Sequence, residues 1–180
     1  MMKRIIIILL LTIIFVSCNN HENSFTEIDC PDEICARAFK FAELYKETGM
    51  PYELGGQSPV RSAGIDCSGL VVMCYKYAVV DTKYNLLFGD ASANAIYMNY
   101  STPTKSPRRG DLVFMGEAST ASVTHIAIFD KIENETVYFI DSTLKDTDGD
   151  GNYDINGVSS RDYGEADDRI KAYGRMRLAY

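Results

Sequence analysis

The stretch Gly64-Ile65-Asp66-Cys67-Ser68-Gly69-Leu70-Val71-Val72-Met73-Cys74 constrains this chain more than any other. A polar turn runs straight into an apolar helix, and a cysteine sits at the join. Asp66 is a good N-cap, which places Cys67 in the first helical turn. Unpaired N–H groups and the helix dipole put partial positive charge there and favour a thiolate. Cys67, Leu70, Val71, Cys74 and Ala78 fall at i, i+3, i+4, i+7 and i+11, one apolar stripe of a helix that runs toward Val80. A thiol in this position is either packing or a nucleophile. The rest of the chain decides which, according to whether it supplies a base.

The 180 residues are enough for one domain with a real core, and 46% hydrophobic with 24% charged residues is ordinary for a globular protein. The N-terminus reads as a targeting segment. Met1-Met2-Lys3-Arg4 is a basic start, and Ile5 to Val16 is an apolar run. That run is shorter than the about 20 residues a bilayer span needs. It ends in Ser17-Cys18, similar to a bacterial lipoprotein signal that is cut before Cys18 and lipidated on its thiol. A plain secretory signal with an incidental cysteine is the alternative. Residues 1–17 are therefore expected as signal peptide, 18–30 as lipidated Cys18 and polar tether, and 31–180 as the domain. Loss of Lys3 and Arg4 with the signal takes the net charge from -7 to -9, with 16 basic against 25 acidic side chains. Such a surface excludes nucleic acid and an electrostatic grip on an anionic membrane.

Five cysteines and two histidines limit the other chemistries. There is no CxxC, so zinc is a poor fit. Outside the cytoplasm Cys30 and Cys35 could pair. Cys74 shares the face of Cys67 and reads as buried packing. His21 falls in the tether and reads as solvated linker.

Along the domain, a helix is expected from Pro31 to the Gly49–Pro51 break, with Ile34, Ala38, Phe41, Leu44 and Tyr45 at helical spacing. A loop from Met50 to Ile65 leads to Cys67, and Ala91 to Tyr97 reads as a short helix. Strands then follow: Asp111–Met115, Val123–Asp130 and Thr136–Asp141, the last two as an antiparallel hairpin around Glu133-Asn134-Glu135. Ile170–Leu178 is one more strand, with Arg175 and Arg177 on one face. Helices first and strands later give an α+β class with an antiparallel sheet.

A catalytic thiol needs a base and a group to orient that base. His125, at a strand start, is the one histidine of the domain; alone, it would read as a packed or solvated side chain. Asp141 ends the neighbouring strand and could sit beside it, or could be a turn residue with Ser142 and Thr143.

Four motifs now stand in order: Tyr52-x-x-Gly55-Gly56, Asp66-Cys67-Ser68-Gly69-Leu70-Val71, Gly110-Asp111-Leu112-Val113-Phe114 and His125-Ile126-Ala127-Ile128-Phe129. In order and rough spacing they resemble the NlpC/P60 cysteine peptidases, over about residues 37–180. The resemblance implies a papain-like α+β fold and cleavage of peptidoglycan stem peptides, commonly between D-glutamate and a diamino acid. It implies Cys67 as nucleophile, His125 as base and Asp141 at the third polar position, where the family usually has His, Asn or Gln. It places Asp66 and Ser68 at the substrate's amino end and a Tyr52 hydroxyl near the nucleophile, while a plain N-cap role for Asp66 stays open. The expected setting is a monomer held by its lipid on the periplasmic face of the outer membrane. An amidase or acyltransferase on the same scaffold, or a calcium-stabilised wall-binding lipoprotein without catalysis, are the other readings.

One feature lies outside that pattern. Asp146-x-Asp148-x-Asp150-Gly151 has the spacing of an EF-hand calcium loop, with Asn152 and Asp154 as further donors. Gly157 stands where the loop's bidentate glutamate would be. A calcium ion or a solvated Asp/Gly loop are the two expectations.

Overall fold

A computed structural model describes residues 25–180. The expected signal peptide, Cys18 and His21 lie outside these residues. In chain order the elements are β1 (Glu27–Asp29), α1 (Asp32–Glu47), α2 (Cys67–Ala78), β2 (Asn85–Leu86), α3 (Ala93–Asn99), β3 (Ser101–Thr104), β4 (Leu112–Met115), β5 (His125–Glu133), β6 (Thr136–Lys145), β7 (Ile155–Gly164) and β8 (Ile170–Ala179). A single 3-10 turn, Arg61–Ala63, interrupts the loop before α2. No helix among the described residues is long and apolar enough to cross a membrane.

The strands form one antiparallel sheet in the order β1-β8-β4-β5-β6-β7, with β2 and β3 also on β8. The expected hairpin is present: Ile128 pairs with Ile140, and the strands are joined by Asn134-Glu135, both at positive φ. Two successive residues of that kind match the right-handed twist of the strands they join. Alternation along β4 and β5 divides the core between the two faces of the sheet. Leu112, Phe114, Ile126 and Ile128 pack with α1 and α2, while Val113, Met115, Ala127 and Phe129 form a second cluster with Val137 and Phe139.

The helix at Cys67 is more deeply placed than a single stripe predicts. Every residue from Gly69 to Tyr75 is buried. It packs on α1 and on β5 and β6. Gly69 also has a steric duty. A Cβ there would meet the Gly56 carbonyl oxygen at 2.1 Å, so only glycine lets the preceding loop close over the helix start.

Three sequence expectations need correction. The tether expected over 18–30 ends sooner, because Glu27–Asp29 pairs with Arg177–Ala179 of β8 and Cys30 is buried. An edge strand gains its backbone bonds whatever its side chains, so polarity did not reveal it. The strand expected to stop at Asp141 continues to Lys145. A further strand, β7, pairs with its whole length, from Thr136↔Gly164 to Lys145↔Ile155. Gly157, read as the end of a calcium loop, lies inside β7. Cys30 and Cys35, expected as a possible pair, are both free thiols here.

Candidate active site

The loop from Met50 to Ile65 is tied down by backbone bonds. Ile65 N–H donates to the Pro51 carbonyl (3.0 Å) and Asp66 N–H to that of Gly56 (3.0 Å). Tyr52 and Gln57 each form a bridge with Ile65. Tyr52 N–H donates to the Asn156 side chain of β7 (3.0 Å). The buried Ser142 hydroxyl of β6 donates to the Ile65 carbonyl (2.7 Å). The segment that carries Cys67 is thereby fastened to the strand that carries Asp141.

Asp66 caps α2 as expected. One carboxylate oxygen accepts from Gly69 N–H (2.6 Å) and from the Ser68 hydroxyl (3.1 Å); the other accepts from Gly55 N–H (2.9 Å). Gly69 and Leu70 N–H are both taken by Asp66. Those of Cys67 and Ser68 have no partner among the described residues, so two donors at the positive end of the helix remain aimed outward.

Cys67 is partly exposed and stands beside His125. His125 Nε2 lies 2.5 Å from Asp141 Oδ2. Asp141 is fully buried in the middle of β6, so its reading as a turn residue is overturned. Register explains the approach. Ile128 pairs with Ile140, so Asp141 lies one step further, toward the His125 end of the hairpin. Burial opposes a charged imidazole, but the Asp141 hydrogen bond and the neighbouring Cys67 outweigh it and push His125 up to about 10. Burial would likewise neutralise Asp141, yet the bonds from His125 and Arg161 hold its carboxyl below the usual range. The resulting line of thiol, imidazole and carboxylate is the arrangement acyl transfer needs.

Tyr52 is brought close to the same centre. Burial, and then the neighbouring Cys67 and Asp66, push its phenol up. On the other side, His125 helps line an open cleft of about 600 Å³ whose wall includes Glu117, Thr124, Lys145, Arg161 and Arg169.

The sequence reading missed Arg161. Its Nε donates to Asp141 Oδ1 (2.9 Å) and its Nη2 to Asp141 Oδ2. The residue lies on β7, a strand whose polar sequence carries no apolar run. The one available signal was the need of a buried carboxylate for a cation.

The acidic loop joins β6 to β7. Asp146, Asp148 and Asp154 each place an oxygen within 4.8 Å of the others. Asp150 and Asn152, expected as donors too, bond to each other instead (3.0 Å). Asp146 accepts from Gly149 and Gly151 N–H, and Asp154 from Thr147 N–H. Much of the negative charge of this loop is thus met by its own N–H donors.

The sequence pattern of the NlpC/P60 family matches residues 49–152, which include Cys67, His125 and Asp141. The chain is 32% identical over 90 residues to the murein DD-endopeptidase MepH of Escherichia coli K12, which covers 48% of this chain and 30% of that protein. It is similar in fold to a lipoprotein-like NLP/P60 protein of Staphylococcus aureus Mu50, at 23% identity and a TM-score of 0.51. That match covers 84% of this chain and 44% of the other. The chain thus spans less than half the length of either protein. With four motifs in order, a matching pattern over more than half the chain and the expected α+β arrangement, the chain belongs to the NlpC/P60 family.

Proposed function

We propose that the protein is a lipid-anchored cysteine peptidase of the bacterial cell envelope that hydrolyses peptidoglycan stem peptides at the bond between D-glutamate and the diamino acid. The observation that carries this reading is Cys67 at the start of α2 beside His125, whose ring lies 2.5 Å from the buried Asp141. The Cys67 thiolate attacks the scissile carbonyl carbon. The negative oxygen that forms is met by the N–H groups of Cys67 and Ser68. His125 gives its proton to the leaving amine. A thioester remains on Cys67. Water, deprotonated by His125, then releases the acid and restores the thiol. Asp66 has an acceptor position left beyond its three bonds, so it can also take the substrate's ammonium, with Ser68 and Tyr52 beside it.

The family and the murein-directed relative support the substrate class. Anchoring through Cys18 rests on the order of basic start, apolar run and cysteine. The relative is named for a DD-endopeptidase activity, which favours a cross-link between D residues as the second reading for the bond. One experiment separates these. Purified murein is digested with wild type and with Cys67→Ser, and the fragments are weighed by mass spectrometry. Fragments cut after D-glutamate, seen with wild type alone, support the first reading. Separated cross-links support the second, and no wild-type-specific fragment sinks both.

A further inference from the structure

Asp141 has two charged partners rather than one. His125 Nε2 and Arg161 Nη2 share its Oδ2, and Arg161 Nε holds Oδ1 at 2.9 Å. Arg161 sits diagonally across the β6–β7 ladder, since Asp141 pairs with Ser159 and Phe139 with Arg161. It is not free to bind substrate. Its third nitrogen donates to the Tyr163 hydroxyl (3.2 Å), its guanidinium lies 5.5 and 5.6 Å from the Phe139 and Tyr163 rings, and its side chain is 10% exposed.

An aspartate bound to a histidine with no other partner presents a difficulty. The full negative charge, in a buried site, would strengthen the imidazolium's hold on its proton and slow the passage of that proton to the leaving amine. A second cation on the same oxygen weakens that hold, and a two-point fork stops the carboxylate from rotating. We infer that Arg161 is a positioning residue of this centre: it fixes Asp141 and offsets its charge, so that His125 is oriented by an aspartate and still releases its proton. This rests on the peptidase reading above. It also gives a physical reason why an ionised side chain works at a position where relatives commonly have an uncharged one.

The groups that face the pair are few. Asp141 on β6 bonds to His125 and Cys67 on α2 stands beside it; Tyr163 and Arg161 come from β7; Tyr52 lies beyond Cys67. Glu117, Lys145 and Arg169 stand on the cleft wall.

The test follows the His125 ring directly. The full chain carries Cys18→Ser, to avoid lipidation, and His21→Gln, so that one imidazole reports. Its titration is followed by NMR beside murein hydrolysis and thermal melting, in wild type, Arg161→Met and Arg161→Lys. Arg161→Met should raise the His125 midpoint by about one unit, because the carboxylate's charge is no longer shared. It should lower kcat roughly 10- to 100-fold with KM little changed, as a misdirected base does. Arg161→Lys keeps the charge but loses the fork. It should return most of the midpoint while kcat stays low. If the Met variant does not fold, the Lys variant decides alone, and a wild-type kcat in it overturns the proposal. A folded Met variant with an unmoved midpoint also overturns it. A wild type that hydrolyses no murein refutes the peptidase reading instead, while the ring titration still reports on Arg161.

Discussion

Cys67 and Cys35 both stand near the start of a helix, Cys67 as its first residue and Cys35 as its fourth, and each site includes a buried aspartate held by an arginine. At α2 the pair is Asp141–Arg161. At α1 it is Asp111–Arg175, where Arg175 Nε donates to Asp111 Oδ1 (2.8 Å) and the Cys35 sulfur lies 4.0 Å from that same oxygen. Two things differ. Cys67 is partly exposed, whereas Cys35 is fully buried. A histidine stands between thiol and carboxylate at Cys67, whereas Cys35 faces its carboxylate directly, with the Tyr75 hydroxyl oxygen 3.8 Å from its sulfur. The two sites share a helix start and an Asp–Arg pair; a proton carrier and an opening to solvent belong to Cys67 and not to Cys35. The Cys35 cluster instead holds β8 to α1, since Arg175 also bonds to Asp32 (2.6 Å). Tyr75 donates to the Gly110 carbonyl (2.5 Å), and a Cβ on Gly110 would meet the Cys35 carbonyl oxygen at 2.1 Å.

The comparison breaks first under alanine substitution. Cys67→Ala should lower murein hydrolysis by roughly 10⁴-fold or more. Cys35→Ala should leave kcat unchanged and cost about 1–2 kcal/mol in denaturant unfolding. A catalytic defect in the Cys35 variant would dissolve the distinction. Next in size is Arg175→Met, which strips a buried aspartate of its cation and should cost roughly 3–5 kcal/mol of stability. Its pH–rate profile should match wild type. A moved profile would mean that the two clusters communicate.

The pH dependence sharpens the same contrast. Hydrolysis requires a protonated His125 for the leaving amine, so the rate should fall as pH rises through about 10, by about tenfold for each further unit. The sign for stability follows. A histidine raised on folding contributes fully below its unfolded value of about 6.5, and that contribution disappears as pH rises through about 10. A rate that falls already near 7 would show that Asp141 does not hold the ring. The smallest effect concerns the acidic loop. A calcium ion at Asp146, Asp148 and Asp154 would raise Tm by a few degrees over chelator, on the order of 1 kcal/mol. An unchanged Tm leaves the loop as a turn capped by its own N–H groups.

Apolar periodicity made the buried half of this protein legible. The α2 start, β4 and the β5–β6 hairpin all follow from it, because their side chains must alternate or cluster to fill the two sides of the sheet. The motifs around Cys67 and His125 then made the family readable. What the sequence hid has a common cause. β1 and β7 bury few side chains and are held by backbone pairing, so Glu27-Ile28-Asp29 looked like tether and Ile155–Gly164 showed no strand signal. Arg161 disappeared with β7, and with it the reason Asp141 stays ionised when fully buried. Ser142 was misread in the same way: its bond to Ile65 depends on a contact between residues 77 apart in the chain.

The central claim is that Cys67, served by His125, forms the covalent intermediate. Rapid acid quench of the protein turning over murein fragments, followed by peptide mapping, tests it most directly. The account predicts an acyl group of stem-peptide mass on the peptide that contains Cys67, absent in Cys67→Ala, with Cys30, Cys35 and Cys74 unmodified. Murein cleavage that persists in Cys67→Ala, or an acyl group carried at another residue, would contradict it.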